Sequence, residues 1–381
     1  MEIKVAASSK PGYAASQEEL NKFAGMAAGV CYMPQNFEAL KGELVEKTIK
    51  RAVDTKTNGH HSVFGHGQIT LELEGIPKLF AMLLNNENIY NTSEKSARYT
   101  NMELTGETQF IYDKWYNKFL KLITEKYGHI PYFSATRIKK LAMENARYFT
   151  SVMTPTSMVH TVSYQQLNYM CGWMQQFENS ENKIYRMLAP TAKEFVERVD
   201  RLGYLDAVLM KDGKNRGFSL VGKRAREEQF GESYSVNYKA SFAMLAQAQR
   251  HRTLDYELMQ DENPEYFIPL IFEGNDSLIE SWLEDMKKVA HTTPQGELVH
   301  INEQGKYENL ILKAKERLCT AAQLEIMQAT KETMDRYIKN TNIAAVKADL
   351  GKVANGSRCK NGFKCQTPCG FLEGINGDRL I

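Results

Sequence analysis

The chain has 381 residues, 43% hydrophobic and 25% charged, with a formal net charge of +2. The length exceeds one small core and predicts two domains, and the composition is that of an ordinary globular protein. A charge this near neutral excludes any demand for a nucleic-acid polymer or an anionic membrane as partner, so local basic clusters carry more information than the total. In chain order, 17–28 and 36–54 read as amphipathic helices. The alternation in "GQITLELEG" (67–75) predicts a strand ended by Gly75. Helical patterns follow at 76–88, 108–126 and 135–149, and a longer one runs from 161 through 177 to about Leu202. The Gly-rich, charged stretch 210–233 reads as a hairpin or linker. The pattern then restarts: a strand at "YSVNYKAS", a helix at "FAMLAQAQRHR", a helix over 275–291 capped by Asn275 or Asp276, and one long helix over 307–339. Each half thus reads strand, helix, polar loop, helix, long helix, a candidate internal duplication.

Apolar runs such as "KLFAMLL" are too short to span a bilayer, and the first residues lack a signal-peptide pattern. The expected location is the cytoplasm, with reduced thiols. Cys359, Cys365 and Cys369 cluster in a Gly- and Pro-rich tail that starts at Gly351. With Cys319 they make a candidate Cys₄ zinc site; an iron–sulfur cluster or free thiols fit the same spacing.

Two stretches stand out chemically. Arg250, His251 and Arg252 sit side by side after an apolar helical segment, in "AQAQRHRTLDYELM". In "NTSEKSARYT", Ser96 and Arg98 lie two apart, also after an apolar segment. Clustered cations call for an anion against them, and an Arg fork beside a Ser hydroxyl suits a phosphate. The blander readings are a solvated helix end for Arg250–Arg252, a capping turn for Ser96 and Arg98, a surface ion pair for Arg147, and a sheet residue for His66.

Each half resembles a divergent copy of the flavin-dependent thymidylate synthase (ThyX) domain. In the first half the resemblance lies in His66 of "GHHSVFGHGQITLELEGI", in Glu94, Ser96, Arg98 and Tyr99 of "SEKSARY", and in Arg147 of "NARYFTS". The family's Arg-His-Arg positions there are Asn86, Glu87 and Asn88, and its late Arg is Met174. In the second half Arg250, His251, Arg252, Gln247 and Arg317 match, while the Ser-x-Arg positions are Gln260 and Glu262. There "VAHTTP" keeps Pro294 but has Ala290 for the Arg that Arg147 provides in the first half.

The resemblance implies an α+β fold of two ThyX-like domains in tandem, 1–205 and 206–350, followed by the Cys-rich tail 351–381. The family builds its site between subunits of a homotetramer, so a fused pair implies a homodimer with complementary half-sites. Glu94, Lys95, Ser96, Arg98, Arg147, Gln247 and Arg317 would bind a pyrimidine deoxynucleoside monophosphate. His66, Arg250, His251 and Arg252 would lie against FAD, and Arg317, Arg250 and His251 would act in catalysis. The implied reaction methylates deoxyuridylate with methylenetetrahydrofolate and NADPH. The alternatives are methylation or hydroxymethylation of another pyrimidine nucleotide, such as deoxycytidylate, or a non-catalytic nucleotide- or flavin-binding homologue. The family's FAD-binding Asn-x-Arg is Ser163 and Gln165 in one half, Lys306 and Glu308 in the other.

Overall fold

The computed structural model describes residues 1–7, 14–35, 37–95, 104–211, 219–354, 359 and 379–381. In chain order its elements begin with β1 (Glu2–Ala7), α1 (Gln17–Tyr32), α2 (Phe37–Lys41), α3 (Val45–Thr57), β2 (Gln68–Pro77), α4 (Lys78–Leu84) and β3 (Tyr90–Glu94). Then come α5 (Gly106–Tyr127), α6 (Ala135–Ala146), β4 (Pro155–Ser163), α7 (Tyr164–Met174), α8 (Lys183–Arg201) and α9 (Ala207–Lys211). The remainder is β5 (Gln229–Phe230), β6 (Ser233–Ser241), α10 (Phe242–Ala248), β7 (Asp255–Met259), α11 (Asp276–Val289), β8 (Leu298–Lys306), α12 (Tyr307–Arg317), α13 (Leu324–Asn340) and α14 (Ala344–Ala354). The class is α+β, as expected. No helix among the described residues is long and apolar enough to cross a membrane.

The chain forms two compact units, Met1–Lys95 with Pro155–Gly217, and Ser96–Thr154 with Phe218–Ile381. The expected spans 1–205, 206–350 and 351–381 follow the two sequence halves; among the described residues, 104–154 of the first half group with the second half. The reason is aromatic. Trp115 and Phe119 on α5, and Phe149 after α6, pack on Phe272 and on Trp282 of α11, with Trp115–Trp282 ring centroids 4.9 Å apart and Phe149–Trp282 4.5 Å. The Trp115 indole N–H reaches Asp285 at 2.8 Å. Such rings bury large apolar area and add edge-to-face attraction.

Each unit holds an antiparallel four-stranded sheet, in the order β1-β2-β4-β3 in the first and β5-β6-β8-β7 in the second. In β2, Ile69, Leu71 and Leu73 are buried, as the alternation predicts. Gly75 does not end the strand. It sits at φ +69° where the register shifts between Glu74 and Ile76, so it forms a bulge and β2 continues to Pro77.

Several helical expectations are corrected. The stretch 161–202 is the end of β4, then α7, then α8. The stretch 307–339 divides into α12 and α13, and 36–54 divides into α2 and α3. Strands β1, β3, β7 and β8, and most of β4, had no expectation. In β4 and β8 the buried faces carry polar groups, His160 and Thr156 in the one, Asn302 and Glu303 in the other, so the apolar alternation that marks a strand is missing there. Of 210–233, residues 212–218 lie outside the described residues, and in the described part β5 pairs antiparallel with the start of β6 as a short hairpin.

Candidate functional site

The second unit assembles a buried polar network from elements far apart in sequence. Ser241 ends β6 and caps α10, its hydroxyl accepting from the Met244 N–H at 3.0 Å. Helix α10 is only two turns long and stops at Ala248, so Arg250, His251 and Arg252 lie in the turn after it, not on the helix as expected. Arg250 and Arg252 are exposed; His251 is half-buried.

The His251 ring is fixed by α12. Arg317, at the end of that helix, donates from Nε to His251 Nε2 at 2.7 Å, and its Nη2 lies 3.5 Å from the Gln247 carbonyl oxygen. A nitrogen that accepts from a guanidinium carries no proton. Burial, then the Arg317 and Lys313 charges, pushes the His251 pKa down to about 2. The three adjacent cationic groups of the sequence thus become two cations flanking a neutral imidazole.

Stability should respond to this. The unfolded imidazole titrates near ~6.5. Below that pH the unfolded chain binds a proton that folded His251 refuses, down to about 2. The contribution is therefore intact above the unfolded value and lost as pH falls, by about 1.4 kcal/mol per unit, or about 2 kcal/mol at pH 5. Urea unfolding of the parent protein and of His251→Gln at pH 7 and pH 5 checks this: the variant should lose roughly that much less, and equal losses would refute it.

Residues 318–323 break the expected long helix, and the break has a consequence for packing. It turns Gln323, 2% exposed, and Glu325 inward. Gln323 Oε1 accepts from the Arg147 guanidinium and from the Gln247 side-chain amide, and Gln323 Nε2 donates to the Tyr148 hydroxyl. Tyr148 donates to Glu325 Oε2 at 2.8 Å. Glu325 also accepts from the Ser241 N–H and hydroxyl, each at 2.7 Å. Burial pushes the Glu325 pKa up, against those hydrogen bonds and the Arg147 charge.

Arg147 and Tyr148 reach this place because 147–152 runs beside 292–296. The Gln295 N–H bonds the Thr150 carbonyl at 2.7 Å, the Gly296 N–H bonds that of Tyr148 at 2.8 Å, and Ser151 pairs with Pro294. A Cβ on Gly296 would sit 3.0 Å from the Tyr148 Cβ and 3.1 Å from its carbonyl oxygen, so glycine permits the approach.

Of the sequence-derived site residues, the structure therefore brings Arg147, Gln247, His251 and Arg317 into one network, with Arg250 and Arg252 at its edge. Glu94 and Lys95 belong to the first unit. Glu94 accepts from Lys78 and, at 3.1 Å, from Asn85, while Lys95 is exposed with its N–H on the Ser157 carbonyl. His66 is exposed in the first unit, its ring edge-on to Phe23. Ser96 and Arg98 lie outside the described residues. So do Cys365 and Cys369; Cys319 is half-buried and Cys359 exposed. Among the described residues no three His, Cys, Asp or Glu side chains group to hold a metal.

Sequence reasoning missed Gln323, Tyr148 and Glu325. The available signal was polar residues at positions that helical spacing assigns to a core. It also missed the ion pair beneath the site. Lys313 and Glu303, both 0% exposed, pair at 2.5 Å, and Glu303 further accepts from Tyr234 at 2.6 Å and Tyr238 at 2.7 Å.

Comparison with known proteins adds the following. The sequence profile described as thymidylate synthase complementing protein matches residues 15–198. Among solved structures, thymidylate synthase X from Helicobacter pylori with FAD and dUMP is similar at 14% identity and a TM-score of 0.34, over 56% of this chain and 100% of that one. A UMP/dUMP methylase, PolB, from Streptomyces cacaoi, bound with 5-Br dUMP, is similar at 13% identity and a TM-score of 0.36, over 55% and 93%. No curated protein matches.

Proposed function

Because residues 15–198 belong to the thymidylate synthase complementing protein family, we propose that the protein is a flavin-dependent methylase of a pyrimidine deoxynucleoside monophosphate, deoxyuridylate in the first instance. The observation that carries this reading is the meeting of Arg147 with Gln247 through one acceptor, Gln323. Arg147 comes from the first-half family match and Gln247 from the second-half Arg-His-Arg segment, so the two sets of matching residues contribute to one network.

A tandem duplication explains that arrangement. Both sheets have the same order of successive strands. Counting from Arg147 and its counterpart Ala290, Ser151 corresponds to Pro294, and these two residues pair antiparallel. Self-pairing of equivalent positions is what a two-fold interface between copies produces. On this reading the chain acts as a fused pair and a homodimer replaces the family tetramer, with Glu94, Lys95, Ser96 and Arg98 serving the nucleotide as the family's Ser-x-Arg segment does.

In the unit 2 network, Arg147 would neutralise anionic oxygens of the nucleotide, as a buried guanidinium can do bidentately. Neutral His251 holds Arg317 by its Nε and so orients a guanidinium that would stabilise negative charge on the pyrimidine as its C5 becomes nucleophilic. The flavin site can be tested on the Arg250 guanidinium, which is exposed. Exposed cations on either side of a neutral imidazole fit an anionic cofactor, so Arg250 and Arg252 would hold FAD, and His66 keeps the flavin role that the resemblance implies. FAD supplies hydride transfer when bound. Methylenetetrahydrofolate would supply the carbon and NADPH the electrons.

The test is an anaerobic incubation of the protein with FAD, NADPH, methylenetetrahydrofolate and a panel of pyrimidine monophosphates, with products read by mass. The expected result is a methyl group on deoxyuridylate. A mass gain on another nucleotide alone moves the substrate, and no product with flavin bound removes the catalytic reading.

A further inference from the structure

The hydrogen-bond directions in the unit 2 network are fixed at both ends. A guanidinium only donates, so Arg147 forces Gln323 to present its carbonyl oxygen. The Gln323 amide nitrogen then faces Tyr148, whose oxygen must accept. Tyr148 has one proton, and it goes to Glu325. At the far end the Ser241 backbone N–H also only donates, and the Ser241 hydroxyl, which already accepts from Met244, gives its proton to the same carboxyl group. Both ends demand the same polarity, so the relay has one arrangement.

That arrangement decides what Gln247 can offer. Gln247 faces the Gln323 carbonyl oxygen and must turn its NH2 there. Its carbonyl Oε1 is left buried, with no hydrogen-bond partner among the described residues, on a side chain only 4% exposed. A buried acceptor without a donor costs free energy unless a ligand provides one.

We propose that Gln323, held by Tyr148 and Glu325, is a positioning residue that fixes Gln247 as a hydrogen-bond acceptor, so that the site selects a ring bearing an N–H. This rests on the nucleotide reading above and deepens it. A 2,4-dioxopyrimidine carries an imide N3–H that meets Gln247 Oε1. A 4-aminopyrimidine has a lone pair at N3, which places acceptor against acceptor. The expectation that Gln247 binds the nucleotide is thereby narrowed to one atom: its donor is already engaged, its acceptor meets the ring N–H, and Arg317 serves the carbonyl oxygens.

The experiment is equilibrium binding of deoxyuridylate and deoxycytidylate to the full-length protein, by calorimetry, with Tm recorded for each variant. The parent should prefer deoxyuridylate by on the order of 100-fold, the range expected when a buried acceptor loses its donor. Gln323→Met frees Gln247 to rotate and should lower that preference to within about 5-fold, mostly by improved deoxycytidylate binding. Gln323→Glu, whose carboxyl group still accepts from Arg147 and Gln247, should keep the preference. Gln247→Met removes the acceptor itself and should lower the preference as Gln323→Met does, which keeps the test decisive if one variant fails to fold. Parent binding to deoxyuridylate with unchanged preference in both Met variants overturns the relay and leaves the methylase reading standing. Binding of neither nucleotide by the parent overturns both.

Discussion

Arg147→Ala should lower kcat/KM for the nucleotide by about 100-fold or more, mostly through KM, the scale of truncating one partner of a buried, hydrogen-bonded charge pair. Arg147 is 5% exposed and donates to Gln323 inside the network, so no solvent cation replaces it. Arg147→Lys should recover little, because an ammonium cannot reproduce the planar fork that satisfies Gln323 and an anion together. Activity per folded molecule separates this from a packing role. If Arg147→Ala lowers Tm but the surviving folded protein turns over at the parent rate, Arg147 is only a strut between 147–152 and the α13 start. The bland reading of Arg147 as a surface ion pair already fails on its burial.

The largest effect on stability should come from Lys313→Met. The Lys313–Glu303 pair is fully buried, and Glu303 relies on it for charge compensation while Tyr234 and Tyr238 each donate one further hydrogen bond to it. Removing the cation leaves a buried carboxylate, which costs about 3–5 kcal/mol, whereas replacing both partners with neutral groups is often nearly free. Lys313→Met should therefore lower stability by that amount, and adding Glu303→Gln should restore at least half of it in urea unfolding. Equal stability of the single and double variants would show that Glu303 gains its compensation elsewhere. Lys313 also lies one helical turn before Arg317 and is one of the charges that hold His251 neutral, so the single variant should partly relax the pH dependence described for His251.

The sequence alone determined the class, the better helices and several members of the buried polar network. Alternation marked β2 and β6, and helical spacing marked α1, α5 and α11, the last with Asn275 as its cap, because each of these elements has a clean apolar face. Family motifs marked Arg147, Gln247, His251 and Arg317, because those residue types at those spacings are local in sequence. The tertiary structure alone decided three things. It grouped residues 104–154 with the second unit, through an aromatic cluster that joins Trp115, Phe119 and Phe149 to Phe272 and Trp282, two sets more than a hundred residues apart that leave no local signature. It broke 307–339 at 318–323, because Gln323 and Glu325 gain buried hydrogen bonds that a continuous helix read from propensity cannot anticipate. It also set the proton on each group, leaving His251 neutral and Gln247 an acceptor. A sequence states which atoms can donate or accept; only the partners brought together by folding fix which of them do.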